Sequence, residues 1–392
     1  MIKYPYIKAE ISKNDYKLVL NVLNSQYLAQ GPMIKNFESA LSRRFKVKDS
    51  IVCSSGTSAL HLIYNSLGLN EENGLLTSPI TFLSTANAAR MCNAPVVFAD
   101  VDRNTGLLTA DTIDEALRKT KTRIKVICVV HLGGRVCDMK EISKVASKHG
   151  CLLVEDCCHA AGAFYYDNQG KNYPVGSCKY SVASAFSFHA IKHIAMGEGG
   201  CVTTNNDNIA EIIRLKLNHG MIKSEDKMEF QPEKEANWYY EMKELGYNYR
   251  ADEISCALGI GQLKKLSKTL EKRRKIISLY NDQLSNIKNL SLPSIPQNLK
   301  SHAWHLYSVS VDFTEVGKSR AVVMKELQDK SIGSQVHYIP LFLQPYYKLL
   351  GSKILPNAIR YYNKSLSIPL YNQLKKQDII YISNKLKTIL KK

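Results

Sequence analysis

Long apolar runs are missing from this chain. None approaches the roughly 20 residues that a membrane-spanning helix needs. The first residues, MIKYPYIKAEISKND, lack the apolar core of a signal peptide, so a cytoplasmic location without a membrane partner is expected. Paired cysteines are missing too. Ten cysteines are scattered with no Cys-x-x-Cys, which argues against a zinc site or a disulfide framework and for reduced, buried thiols. Acids are comparatively few, 35 Asp and Glu against 53 Lys and Arg, for a net charge of +18. Such an excess can mark a nucleic-acid binder. Here the cations run along the whole chain and no RNA- or DNA-binding motif accompanies them. A lysine-rich solvated surface and no nucleic-acid partner are therefore expected.

What is present reads as a globular chain. Its 392 residues, 45% hydrophobic and 22% charged, suffice for a sizeable core and for more than one domain. The first half alternates between two periods. IVCSS, GLLTSPITF, APVVFADVD, IKVICVVHL, CLLVEDC, VASAFSF and GCVTTN have strand character. Helix-like stretches lie between several of them; KEISKVASKHG puts Ile142, Val145 and Ala146 on one face and stops at His149-Gly150. This alternation predicts an α/β fold with a mostly parallel sheet covered by helices. From Glu253 a long helical segment follows, which Gly259 and Gly261 are expected to interrupt. After the loop LSLPSIPQ, shorter elements are expected at WHLYSVSVDF, RAVVMKELQDK and GSQVHYIPL, with a helical tail from Lys375. The pattern divides the chain into a large α/β domain over 1–267 and a smaller α+β domain over 268–392.

Three stretches carry candidate chemistry. In SSGTSALHLIYNSLG a strand ends in hydroxylated residues and a helix begins near Thr57. A helix start offers free N–H groups to a phosphate, although Ser and Thr are also ordinary N-caps. In CLLVEDCCHAAGA, Asp156 ends an apolar strand, where α/β sheets place their ligands. A capping or solvated carboxylate has the same local appearance, and His159 fits a structural histidine equally well. In FSFHAIKHIAMGEGG, Lys192 stands between an apolar strand and a glycine turn. Desolvation disfavours the charged ammonium, and a neutral lysine amine can add to an aldehyde. A snorkelling loop lysine is the bland alternative. Phe82, in TSPITFLSTANAA, can cover a ring or serve as a core aromatic. Phosphate cradle, carboxylate, ring cover and amine together are what pyridoxal 5'-phosphate requires.

With these residues in view, the chain resembles the DegT/StrS-type nucleotide-sugar aminotransferases of the pyridoxal-phosphate fold type I. The resemblance spans nearly the whole chain and rests on YLAQGP, SSGTSAL, TSPITFLSTANA, VHLGGRVCDM, VEDCCHAAGA, FSFHAIKHIAMGEGG, YNYRADEISCALGIGQL and QVHYIPLFLQPYY. FSFHAIK with EGG, WHLYSV, QVHYIPLFLQPYY and LSIPLYNQL favour the branch that works in pseudaminic acid biosynthesis. VEDCCHA carries cysteines where the family usually has small residues such as alanine. His193 stands where proline or asparagine is frequent.

The resemblance implies roles. Lys192 is the catalytic residue and carries the cofactor. Asp156 pairs with its pyridine nitrogen, Phe82 stacks on its ring and His159 lies beside it. Gly56, Thr57 and Ser187 hold its phosphate within one subunit, and Asn248 reaches the phosphate of the neighbouring subunit in a homodimer with shared sites. Tyr6, the segment Gln26, Tyr27, Leu28 and Ala29, and His337 with Tyr338 line the sugar pocket. No metal is implied. The implied reaction is ping-pong transfer of an amino group from L-glutamate to C4 of a UDP-linked 4-keto-6-deoxy-N-acetyl sugar. Alternatives are another nucleotide-linked keto sugar, aminated at C3 or C4, a sugar dehydratase of the same fold, and a non-catalytic regulator. The dehydratases carry histidine in place of the lysine, which Lys192 speaks against.

Overall fold

A seven-stranded sheet forms the centre of the molecule. The computed structural model describes residues 2–167, 169–223, 228–230 and 238–391. The strands, in chain order, are β1 (Asp49–Cys53), β2 (Gly74–Thr77), β3 (Val96–Phe98), β4 (Ile124–Val130), β5 (Leu152–Asp156), β6 (Phe164–Tyr166), β7 (Asn172–Pro174), β8 (Ala183–Ser187) and β9 (Gly200–Thr204). Leaving out the small hairpin β6–β7, they pair in the order β1-β9-β8-β5-β4-β2-β3. Only β9 runs against the others: it is antiparallel to both β1 and β8, and the remaining pairs are parallel. The sheet is buried on both faces, which is why its strands read as continuous apolar runs rather than as alternating ones. All four residues of β2 and all five of β9 are buried.

The order of the parallel strands gathers their carboxyl ends along one edge. Asp156 ends β5, Ser187 ends β8, and Ser54-Ser55 follow β1 there. The helix Gly56–Ser66 then packs back on β8 and β9, and the helix Met139–Lys148 packs on β5. On one side of the sheet, Phe37, Phe45, Phe186 and Phe188 form an aromatic core, with Phe45 stacked on Phe186 at 4.4 Å. Another cluster joins Ile51, Leu62, Tyr64 and Val202.

The remaining strands are β10 (Met221–Ile222), β11 (Glu241–Met242), β12 (Leu290–Ser291), β13 (Tyr307–Val311) and β14 (Ser365–Ile368). The last three make an antiparallel sheet with the order β12-β13-β14. On β13, Tyr307, Val309 and Val311 are buried in a core with Tyr280 and Trp304, while Ser308 and Ser310 face the other way and are partly exposed. That alternation is the signature of a half-buried strand. No helix of the described residues is long and apolar enough to cross a membrane.

Two expectations are corrected. Gly259 and Gly261 do not interrupt the helical segment: one continuous helix runs over Glu253–Leu284. A Cβ at Gly259 would lie 2.7 Å from the Phe37 ring, and one at Gly261 would lie 2.3 Å from the Asp15 carboxylate. The glycines serve close helix packing, which outweighs a propensity cost of about 1 kcal/mol each. GSQVHYIPL forms no strand either; it contributes one bridge, Gln335 to Ser367, and otherwise runs as a loop along the sheet edge.

Candidate active site

Asp156, at the end of β5, is only 5% exposed. Its carboxylate is held from two sides. Thr85 Oγ1 donates to Oδ2 at 2.7 Å, and the Cys158 N–H donates to Oδ1 at 3.1 Å. Thr81 Oγ1, four residues earlier and ahead of the helix Ser84–Met91, lies 2.8 Å from Thr85 Oγ1 and can donate to it. Next along β5, Glu155 is wholly buried and accepts from Ser181, Ser184, Tyr165 and the His131 ring. His131, Glu155 and Cys157 offer ligand atoms within 4.8 Å of one another. His131 Nδ1 and Nε2 and both Glu155 oxygens are already engaged in hydrogen bonds, so this is a buried polar network behind Asp156.

Lys192 lies in the loop between β8 and β9. The loop is tied down at Phe188, whose N–H donates to the Gly199 carbonyl and whose carbonyl accepts from the Met196 N–H, at 2.8 and 2.9 Å. Burial pushes the Lys192 ammonium below its ordinary pKa, while Cys158 and Asp156 pull in the opposite direction. Gly200 answers for the glycine run. A Cβ there would sit 2.2 Å from the Ser55 carbonyl oxygen, so only glycine lets β9 pass this close to the helix start. Likewise, a Cβ on Gly56 would sit 2.8 Å from Ser187 Cβ. The bare glycine therefore brings the end of β8 against the start of the helix.

That helix start is a donor cradle. Ser55 and Ser58 form a reciprocal cap, which takes up the Ser58 N–H, and the Ser55 carbonyl takes the Ala59 N–H. Among the described residues the N–H groups of Gly56 and Thr57 have no partner, and they lie beside the hydroxyls of Thr57 and Ser187.

These pieces line one cavity of about 630 Å³. Gly56, Thr57, Phe82, Asp156, His159, Ser187 and Lys192 all border it, as do Tyr6, His337 and Tyr338. Phe82 is exposed, with its ring 6.1 Å from that of Tyr338. His337 Nδ1 meets Ser367 Oγ at 2.8 Å, and burial pushes its imidazole down to about 3. Asn248 and the segment 26–29 lie elsewhere. Asn248 pairs by its backbone with Asn218; Tyr27 and Leu28 are exposed, and Ala29 bridges to Asp252.

Several lining residues were not legible in the sequence. His305 borders the cavity, stacks on His159 at 4.4 Å between centroids and has a buried Nδ1 without a partner. His159 Nδ1 accepts from the Gly133 N–H at 3.2 Å, and its Nε2 lies 3.3 Å from the Tyr338 hydroxyl. Burial and the nearby Lys192 keep His159 neutral, far below the usual imidazole range. The Nδ1 lone pair is in use, so the proton sits on Nε2 and is donated to Tyr338. His193 has a structural place: its Nε2 meets the Ala303 carbonyl at 2.9 Å and ties the lysine loop to the segment before His305.

The cavity suits pyridoxal phosphate. It offers an amine that burial has driven towards neutrality, a fixed carboxylate and a helix-start cradle for a dianion. The sequence agrees with this. The DegT/DnrJ/EryC1/StrS aminotransferase family matches residues 9–387, and the chain belongs to that family. Aminotransferases of the family depend on pyridoxal phosphate. Among curated relatives, the UDP-4-amino-4,6-dideoxy-N-acetyl-β-L-altrosamine transaminase of Campylobacter jejuni is 37% identical over 388 residues, covering 99% of this chain and 97% of that one. The spore coat polysaccharide biosynthesis protein SpsC of Bacillus subtilis is 35% identical, with the same coverage. Helicobacter pylori PseC, an aminotransferase involved in the biosynthesis of pseudaminic acid, superposes with a TM-score of 0.88 at 29% identity, with 99% of both chains covered.

Proposed function

We propose that this aminotransferase moves the amino group of L-glutamate to C4 of a UDP-linked 4-keto-6-deoxy-N-acetyl sugar, UDP-2-acetamido-2,6-dideoxy-β-L-arabino-hexos-4-ulose, in pseudaminic acid biosynthesis. The names of the Campylobacter and Helicobacter relatives support the sugar. The observation that carries the chemistry is the shared cavity: the Lys192 amine and the doubly held Asp156 carboxylate border the same space.

When bound, pyridoxal phosphate supplies the electron sink and carries the amino group between the two half-reactions. The chain's residues do the rest. Lys192 Nζ is the nucleophile that holds the cofactor, and it takes a proton from one carbon and returns it to another. For that it must be neutral part of the time, which burial favours. Asp156 stabilises a positive charge at the pyridine nitrogen, and Thr85 and Cys158 fix its orientation. Gly56, Thr57 and Ser187 bind the phosphate, Phe82 covers one ring face and His159 lies beside the ring. Tyr6, His337 and Tyr338 orient the sugar, with Tyr338 free to donate its proton because it accepts one from His159. Asn248 and the segment 26–29, outside the cavity of their own chain, serve the cavity of the partner in a homodimer.

Incubating the cofactor-loaded enzyme with this ketone and L-glutamate tests the reading. One 2-oxoglutarate should appear for each C4 amine formed. No amine on any of a panel of UDP- and dTDP-linked 4-keto sugars would overturn it.

A further inference from the structure

A second cavity, of about 440 Å³, lies between the edge of the large sheet and the outer face of the β12–β14 sheet. Four cations line it: Arg103, Arg135, Arg360 and Lys364. Among the described residues no carboxylate lines it. Lys364 is engaged with Asp312 at 2.6 Å, and Arg135 donates to the Ser294 carbonyl. Arg103 and Arg360 have no carboxylate within ion-pair distance among the described residues, and both are exposed. The opposite wall is hydroxyl-lined. Ser308 and Ser310 point into it from β13, where the strand's alternation turns them away from the core.

This composition departs from the rest of the surface. The chain favours lysine strongly over arginine, yet three of the four cations here are arginines. Arginine's planar fork suits oxyanions and binds them in pairs of parallel hydrogen bonds. Of the acids nearby, Asp102 acts on Arg103 and Arg135 and Asp312 pairs with Lys364, but neither lines the cavity, so the cations there leave room for an added anion. The volume falls within the range of small-molecule sites, about 300 to 1,000 Å³, and a single phosphate would leave much of it empty.

The wall nearest the sheet includes the turn Leu132–Gly134, which is hydrogen-bonded to residues of the active site. Gly133 lines the second cavity, and its N–H is the donor to His159 Nδ1. Its carbonyl accepts from the His305 N–H at 2.9 Å and the Leu306 N–H at 3.3 Å. His159 and His305 border the Lys192 cavity, whereas Leu306 borders the basic one. One residue of the basic cavity is thus bonded to two residues that border the Lys192 cavity, and φ of +65° holds it in a conformation that suits glycine.

We propose that this basic cavity is a second ligand site, distinct from the Lys192 cavity, that takes a diphosphate group, and that its occupancy is felt at His159 through Gly133. Arg103 and Arg360 are its anion-binding arms, and Ser308 and Ser310 supply hydroxyl donors. The diphosphate could come from inorganic pyrophosphate or from a nucleoside diphosphate; the recognised chemistry is the same. The proposal does not depend on which sugar the active site accepts.

Calorimetric titration of the cofactor-loaded enzyme with inorganic pyrophosphate, and separately with UDP, tests it. Pyrophosphate should bind, and Arg103→Ala with Arg360→Ala should weaken it by about tenfold or more; UDP, which the Lys192 cavity also takes, should occupy two sites per chain in the wild type and one in the alanine pair. Uridine should not bind this site. Both replaced residues are exposed, so the fold should persist; Arg103→Lys with Arg360→Lys should retain part of the affinity. Failure of pyrophosphate to bind, or an affinity for it unchanged by the alanine pair, would overturn the site. For the coupling, the ring-nitrogen resonances of His159 should shift on saturation with pyrophosphate in the wild type and stay put in the alanine pair. Binding without that shift would refute the link through Gly133.

Discussion

Thr85 Oγ1 donates a 2.7 Å hydrogen bond to Asp156 Oδ2, and both groups are buried. A carboxylate at the end of a strand can turn about its own bonds. The hydroxyl on the helix Ser84–Met91, backed by Thr81, removes that freedom on one side, as the Cys158 N–H does on the other. Thr85→Val keeps the volume and deletes the donor. A hydrogen bond to a charged group is worth about 1.5–3 kcal/mol, so kcat should fall roughly 10- to 100-fold with cofactor content retained. Thr85→Ser should restore most of the rate. Asp156→Asn should cost more than Thr85→Val, because it removes the charge itself. A Thr85→Val enzyme with wild-type kcat would make the threonine a packing residue.

Replacing Lys192 with alanine should lower turnover by more than about a thousandfold, because the nucleophile and the proton carrier are one group. The side chain opens onto a cavity, so thermal unfolding should change little. Borohydride reduction of the loaded wild-type enzyme should fix the cofactor on the peptide containing Lys192. Label on any other lysine would reject the assignment.

Asn248 lies outside the cavity of its own chain, so its contribution should cross a subunit interface. An inactive Lys192→Ala chain mixed with an inactive Asn248→Ala chain should regain activity as subunits exchange. In the mixed dimer one site carries both lesions and the other carries neither. Mixed dimers that stay inactive would return Asn248 to a role within its own subunit.

The parts of this molecule that are local in sequence are the parts that can be read there. Each of the seven apolar runs expected as strands overlaps one strand of the central sheet, because burial on both faces leaves a continuous apolar signature. The cap at Ser55 and the helix start near Thr57 were legible for a similar reason: capping chemistry sits within four residues. Thr85 was not, since nothing in TFLSTANA says that its helix will end up against the tip of β5. His305 and Gly133 were hidden for the same reason; His305 meets His159 only after the small sheet docks on the large one, and Gly133 meets it because β4 and β5 lie side by side. Gly259 and Gly261 misled because propensity is local, whereas their reason, contact with Phe37 and Asp15, is more than 200 residues away in sequence.

Acid should destabilise the protein well before its carboxylates are protonated. Burial lowers the pKa of His337 to about 3, and lowers those of His159, His193, His302 and His305 well below the ordinary 6.5. For each, the unfolded chain binds a proton that the folded chain refuses. Stability is therefore intact above about pH 6.5 and declines as pH falls through the window towards the folded-state value. The slope is about 1.4 kcal/mol per pH unit for each such histidine. Urea unfolding should accordingly have a lower midpoint at pH 5 than at pH 7.5. Equal midpoints, or a higher one at pH 5, would mean that these imidazoles are not buried in their neutral form.

Substrate choice is the centre of the account. Many nucleotide sugars satisfy the needs of a diphosphate pocket and a ketone, so orientation of the ring must discriminate between them. Reaction demands near-attack geometry, and inversion at C5 tilts the ketone away from the attacking amine. The most direct measurement compares kcat/KM for UDP-2-acetamido-2,6-dideoxy-β-L-arabino-hexos-4-ulose with that for its D-xylo C5 epimer, at saturating L-glutamate, with the aminated products identified by mass spectrometry and NMR. A strong preference for the L-arabino ketone, aminated at C4, is the predicted result. Equal rates, or preference for the D-xylo sugar or for a dTDP-linked ketone, would contradict it.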